Sequence, residues 1–142
     1  MEAPRRRAGL IVVLLALCGC GASDDACRSG VTDGVLPEWA RAGFSEPEPR
    51  APHVVGADER IAGIVFNGEL TDPPEPGRQN KILWVAREPT DATELRITAR
   101  RGDETVTRTA DLGPSAVDLP AGCWELTLEW DGASDSVDLV YE

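Results

Sequence analysis

From Cys123 to Trp130 apolar and polar side chains alternate without interruption, with Trp124, Leu126, Leu128 and Trp130 on one side and Glu125, Thr127 and Glu129 on the other. A two-residue period belongs to a β-strand with one wet face; a helix would scatter these four large groups around its axis. A slip of one residue would put all four in water, so the pattern also fixes register. Full burial of each such side chain contributes about 1.5–3 kcal/mol. Asp131-Gly132 supplies hairpin-turn chemistry, and Val137, Leu139 and Tyr141 return with the same alternation.

The chain from Val54 onward repeats this logic in shorter pieces. Residues 61–66 read as a strand in which Gly63 marks a bulge or a close backbone approach. The nearly continuous apolar run in 81–86 fits a strand buried on both sides, or covered on its second face by the segment around Trp39. Leu95, Ile97 and Ala99 are expected inside, with Arg96, Thr98 and Arg100 in water and a turn at Gly102-Asp103. Residues 105–109 hold Val106 as their one large apolar side chain and read as an edge strand with polar protection. Residues 115–119 form a further short strand between Pro114 and Pro120. No helical period of useful length occurs, so residues 54–142 are expected to be an all-β, antiparallel sandwich of about seven strands.

The N-terminal region obeys different rules. Arg5, Arg6 and Arg7 precede an apolar run over 8–19, the charged, apolar and small-residue zones of a secretory signal. That run is too short to cross about 30 Å of hydrocarbon as a helix. Its end, Leu17-Cys18-Gly19-Cys20, resembles a bacterial lipobox. The resemblance implies removal of residues 1–19, a lipid on Cys20, membrane lipid as a partner and an extracytoplasmic location. An ordinary secretory signal cleaved nearby is the competing reading. Residues 20–53 then form a lipidated tether: small, polar and acidic over 21–34, one or two helical turns over 37–43, and Pro alternating with charge over 45–52, extended and without ladder bonds. Trp39 and Phe44 are the tether's expected contacts with the domain.

Loss of three Arg and one Glu with the signal takes the formal net charge from −11 to −13, which argues against nucleic acid and against docking on anionic lipid. With Cys18 removed and Cys20 modified, Cys27 and Cys123 remain in an oxidising compartment and are expected to pair, two free thiols being the alternative. A bridge closing so long a loop is worth roughly 4–5 kcal/mol in the chain-entropy model.

The stretch from Pro120 to Gly132 resembles the last two strands of bacterial immunoglobulin-like sandwich domains. Together with Leu36–Arg41 and Asn80–Trp84, the mature chain is similar to small actinobacterial lipoproteins, a likeness that implies location and an immunoglobulin-like fold and transfers no functional residue.

Candidate chemistry is sparse. His53 is the one histidine and has a surface or hydrogen-bonding setting, and no zinc ligand set remains. Asp131 with Asp135, or Asp72 with Glu75, lack the ordered spacing of a calcium loop and read as solvated turn carboxylates, and no acidic pair reads as lying in a cleft. Arg101-Gly102-Asp103 spells an adhesion tripeptide but also supplies good hairpin residues. The Pro-rich loop is the favoured binding region, with Asp72, Glu75, Gln79, Asn80, Lys81 and Trp84 as its candidate residues. No cofactor, catalytic residue or metal is expected. The chain reads as a monomeric binding or structural module of the cell envelope with an unidentified envelope partner or ligand. The alternative is a cell-envelope hydrolase built around His53 or a carboxylate pair.

Overall fold

The alternation that begins at Cys123 becomes β8, Gly122–Trp130, whose four predicted inward residues are all buried. The computed structural model describes residues 27–142. The signal segment, Cys20 and the first residues of the tether lie outside them. Along the chain come β1 (Thr32–Val35), a 3-10 turn (Glu38–Ala40), β2 (Arg50–Val55), β3 (Ile61–Val65), β4 (Lys81–Ala86), β5 (Glu94–Arg101), β6 (Glu104–Asp111), β7 (Pro114–Ala116), β8 and β9 (Ala133–Tyr141). They form two antiparallel sheets, ordered β1-β2-β3-β4-β7 and β6-β5-β8-β9. The seven strands β3 to β9 have the immunoglobulin-like order, A-B-E in one sheet and C′-C-F-G in the other. β1 and β2 extend the first sheet.

Those two strands differ from the expected tether. Arg50 and Ala51 join a ladder, because the β1 register sets Val35 opposite Arg50 and Gly34 opposite Ala51. Alternate Pro and charge did not prevent pairing, since Pro52 sits near the sheet edge and costs one donor only. The expected bridge is present: Cys27 and Cys123 are disulfide-bonded, with Cα atoms 5.9 Å apart and a sequence separation of 96. Gly30 N–H then donates to Asp138 O (2.8 Å), so the segment after Cys27 crosses the edge of β9 before it enters β1.

The core lies between the sheets and takes Leu95, Ile97 and Ala99 from β5, Ile82 and Trp84 from β4, and Val137, Leu139 and Tyr141 from β9. Gly63 marks a close approach: a Cβ there would stand 2.8 Å from Trp84 Cζ3, so the missing side chain makes room for the indole. The register through it is continuous, with no bulge. Trp124, near the start of β8, donates through Nε1 to Pro120 O (2.7 Å) at the corner before the strand, while the Arg101 guanidinium sits 4.4 Å from its ring centroid. Tyr141 donates its hydroxyl to Val117 O (2.7 Å). Burial first, then the Asp118 charge, holds that phenol far above its ordinary pKa, so it stays a donor.

It is β3, and not β4, that is buried on both faces. Ala62 and Ile64 point away from the core and are nevertheless buried, as are Leu36 and Ala40 of the 36–49 segment. Trp39 and Phe44 are half-buried, and Trp39 meets the domain through Arg87, whose guanidinium stands 5.9 Å from its ring centroid. Arg41 ties this segment together by donating to Leu36 O (2.9 Å) and Pro47 O (3.0 Å).

Two acids on β9 show what the alternation left unread. Asp135 faces inward, is 4% exposed, and accepts from the backbone N–H groups of Asp58 (2.9 Å), Arg60 (2.8 Å) and Ser136 (2.8 Å). It is therefore no solvated turn carboxylate; it clasps the β2–β3 turn of one sheet to the last strand of the other. Asp138 faces outward, directly across from Glu125. Partial burial first, and Glu125 second, raise its carboxyl pKa.

Two outcomes follow for stability. Asp135→Ala strands the Asp58 and Arg60 donors and should cost about 2–4 kcal/mol in chemical denaturation. Because the folded state disfavours ionised Asp138, that group lowers stability at neutral pH, and the penalty fades as pH falls through its folded pKa toward the ordinary 3.8. Asp138→Asn should accordingly unfold at a higher temperature than wild type at pH 7, with the difference shrinking on acidification.

Candidate functional site

The long connection from β3 to β4 carries an exposed aromatic ring beside a shallow concavity. β3 ends at Val65, which faces the core, so the next side chain in the alternation, Phe66, turns outward and is 49% exposed. Its backbone N–H donates to Lys81 O (3.2 Å), and Lys81 Nζ stands 5.5 Å from its ring centroid. Phe66, Asn67, Gly77, Gln79 and Lys81 line a shallow basin of about 450 Å³. Asn67 Nδ2 donates to Gln79 O (2.9 Å), and Arg78 donates to Asn67 O (3.1 Å) while pairing with Glu75 (3.1 Å). The rim is thus a set of mutually bonded polar groups around one exposed ring.

A buried amide holds this loop. Asn80 is 2% exposed; its Oδ1 accepts from Thr71 N (2.9 Å), and its Nδ2 donates to Thr71 O (2.8 Å) and Asp118 Oδ1 (2.8 Å). One side chain thereby reads both polar groups of Thr71's backbone and fixes where the loop re-enters the sheet. Asp72 adds a second tie, its Oδ2 accepting from Ala121 N (3.0 Å).

The six candidates from the sequence therefore divide. Gln79 and Lys81 border the basin. Asp72 and Glu75 are exposed, with a carboxylate oxygen of each engaged by Ala121 N and Arg78 respectively. Asn80 and Trp84 are corrections: both are buried, Asn80 inside the loop's own hydrogen-bond set and Trp84 in the core, so neither meets a ligand. Trp84 follows the polar groups of 79–81 closely in sequence, but the strand alternation turns it inward, toward Gly63. Phe66 was the residue missed. Its signal was present: counting alternate residues from Val65 puts Phe66 on the face opposite the core.

The other chemistry considered at the sequence level disperses. His53 is 5% exposed and its Nδ1 lies 2.8 Å from Ala51 O, a contact within its own strand. Asp131 accepts from Thr90 Oγ1 (3.1 Å), whereas Asp135 is bound to backbone amides, so the two acids of that turn serve different partners. Among the described residues no group of three or more His, Cys, Asp or Glu side chains is placed to hold a metal. The side chain of Arg101 is engaged by Ala121 O, Glu104 and the Trp124 ring, which removes the cation an adhesion tripeptide would present.

Comparison with models of protein families, with characterised proteins and with solved structures finds no match to this chain. The site is thus read from its own geometry. If Asn80 is the loop's organiser, Asn80→Ala should lower stability by about 2–3 kcal/mol through its lost hydrogen bonds. Phe66→Ala should leave unfolding within about 0.5 kcal/mol of wild type, because an exposed ring stabilises little.

Proposed function

We propose that this protein is a lipid-anchored, extracytoplasmic binding module of the cell envelope whose contact surface is the Phe66 basin. The carrying observation is Phe66 itself. Among the described residues only Phe66 and Val35 are large hydrophobics exposed to solvent, and Phe66 is held on a loop fixed by a buried amide. A half-exposed aromatic ring beside polar groups on a rigid scaffold offers contact area with little conformational entropy to lose.

Two further features support the cellular setting. A disulfide persists in oxidising compartments, and Cys27–Cys123 is formed. The lipobox-like Leu17-Cys18-Gly19-Cys20 precedes Cys27 by only a few residues. Among the described residues no helix is long and apolar enough to cross a membrane.

The anchor and the surface are tested separately. Intact mass of protein extracted from membranes should give a diacylglyceryl adduct on a chain starting at Cys20, with two thiols that label only after reduction; an unmodified chain in the medium would overturn the anchor. For the surface, a photo-crosslinking residue at Gln79 should yield a discrete adduct in intact cells that disappears with Phe66→Ala. Equal adducts from a probe at Thr98, on the outer face of the opposite sheet, would sink the assignment to this basin.

A further inference from the structure

We infer that β6 is a self-association edge, at which a second copy of this chain adds an antiparallel strand to the β6-β5-β8-β9 sheet. The inference does not depend on the anchor or on the Phe66 basin. Every sheet edge leaves peptide groups without ladder partners, and most edges of this sandwich are short or covered. β9 is covered along its length: Ala57 donates to Ser136 O, Gly30 to Asp138 O, and Glu142 exchanges bonds with Leu70 and Asp72. β1 has four residues and β7 three. β6 has eight, and among the described residues β5 is its only ladder partner.

The open groups can be assigned. Leu112 N–H donates inward to Thr93 O, on the β5 side, whereas Asp111 N–H turns away to Ser115 Oγ (3.4 Å). Peptide direction alternates along a strand, so Thr105, Thr107 and Thr109 present their N–H and C=O groups to the open side. The edge carries no Lys, Pro or Gly; its inward-pointing charges, Glu104 and Arg108, are the one such device it has against pairing.

Its side chains are self-complementary in one register. Opposite Ala99 and Ile97, the inward-facing positions on β6 are Val106 and Arg108, with Glu104 next on the same face. Pairing Val106 with Val106 of a second copy brings Glu104 opposite Arg108 twice, by symmetry, and makes Thr105–Thr107 the hydrogen-bonded pairs, as the direction of the open groups requires. Moving the partner by two residues in one direction sets Val106 against Arg108, and by four sets Arg108 against itself. Val106 is only partly buried at the margin of the core, so a second Val106 covers apolar surface that β5 leaves open.

Arg108 gives the inference a sign. In the single chain its Nη1 donates to Thr107 O (3.1 Å), one of the open carbonyls, and its Nε donates to Asp118 O (3.2 Å). In the dimer the guanidinium releases Thr107 O to the incoming strand and moves to Glu104 of the second copy, where it shares the carboxylate with Arg101. If instead Arg108 guards the edge, its removal must promote association.

One strand pair buries less than a standard interface, so the dimer is weak and depends on concentration. Sedimentation of the full chain in non-ionic detergent should show it, and Arg108→Ala should weaken it about fivefold, the scale of two lost partly exposed charge pairs. Enhanced association in Arg108→Ala would overturn the inference, as would a monomer at all concentrations. A second measurement does not rely on Arg108. Val106→Cys places two thiols at a non-hydrogen-bonded pair, where Cα atoms stand near 4.5 Å, and should give about tenfold more intermolecular disulfide than Thr109→Cys. Equal yields from the two variants would reject this register and the edge with it.

Discussion

Four large side chains on one face of β8 set the frame for everything around them. β8 is flanked by β5 and β9, and its Trp124, Leu126, Leu128 and Trp130 stand opposite Leu139, Ala99 and Val137, Ile97, and the turn into β9. A slip of one residue would expose indole and leucine surface worth several kcal/mol in total. That requirement fixes where β5 and β9 lie, and through them which residues of the first sheet face the core. Trp124 and Trp84 then meet the same difficulty, a polar nitrogen inside an apolar layer, with different outcomes. Trp124 reaches a backbone oxygen at the corner before β8. Trp84 Nε1 is buried without a partner among the described residues, a cost of about 1–3 kcal/mol set against the area its ring buries over Gly63.

The sandwich was legible where one face of a strand is dry. β5, β8 and β9 announce themselves by a strict period of two, and their inward residues in the structure are those the alternation picks out. Gly63 was legible as a special position because a strand seldom keeps a glycine without a neighbour that needs its space. β1 and β2 were not legible. β1 reads Thr-Asp-Gly-Val and β2 contains Pro52, so neither carries the apolar pattern that marks a strand; β2 pairs along β3, and β1 along β2. Around the 3-10 turn the burial is shared: Leu36 and Ala40 are fully buried though less conspicuous in sequence, while Trp39 is half-buried with the Arg87 guanidinium 5.9 Å from its ring centroid.

Acidic residues were the least readable class. By composition every carboxylate in this chain could be a solubilising group, and most are exposed. Asp135 differs because three backbone donors converge on it, and two of those lie more than seventy residues away in sequence. Such convergence is a property of topology: the β2–β3 turn meets β9 only after both sheets have formed. The same holds for Asn80, whose amide joins Thr71 and Asp118. In both cases a buried polar side chain shapes a loop by satisfying its backbone. The candidate surface at Phe66 is a consequence of that arrangement, with the structural residue hidden and its neighbours presented.

The disulfide has a related task at the other edge. β1 buries almost no large apolar side chain, and Val35 is 37% exposed, so hydrophobic burial cannot hold it in place. Its hydrogen bonds to β2 alone would compete with water at the margin of a sheet. Cys27 supplies the missing constraint a few residues upstream by joining β8, the strand whose register is best determined. Between the bridge and β1 the chain packs tightly enough that a Cβ on Gly30 would come within 2.9 Å of Val54 Cγ2, and there it covers the Asp138 carbonyl. One covalent bond thus orders a weakly apolar segment and closes the edge of β9, which leaves β6 as the long edge still open.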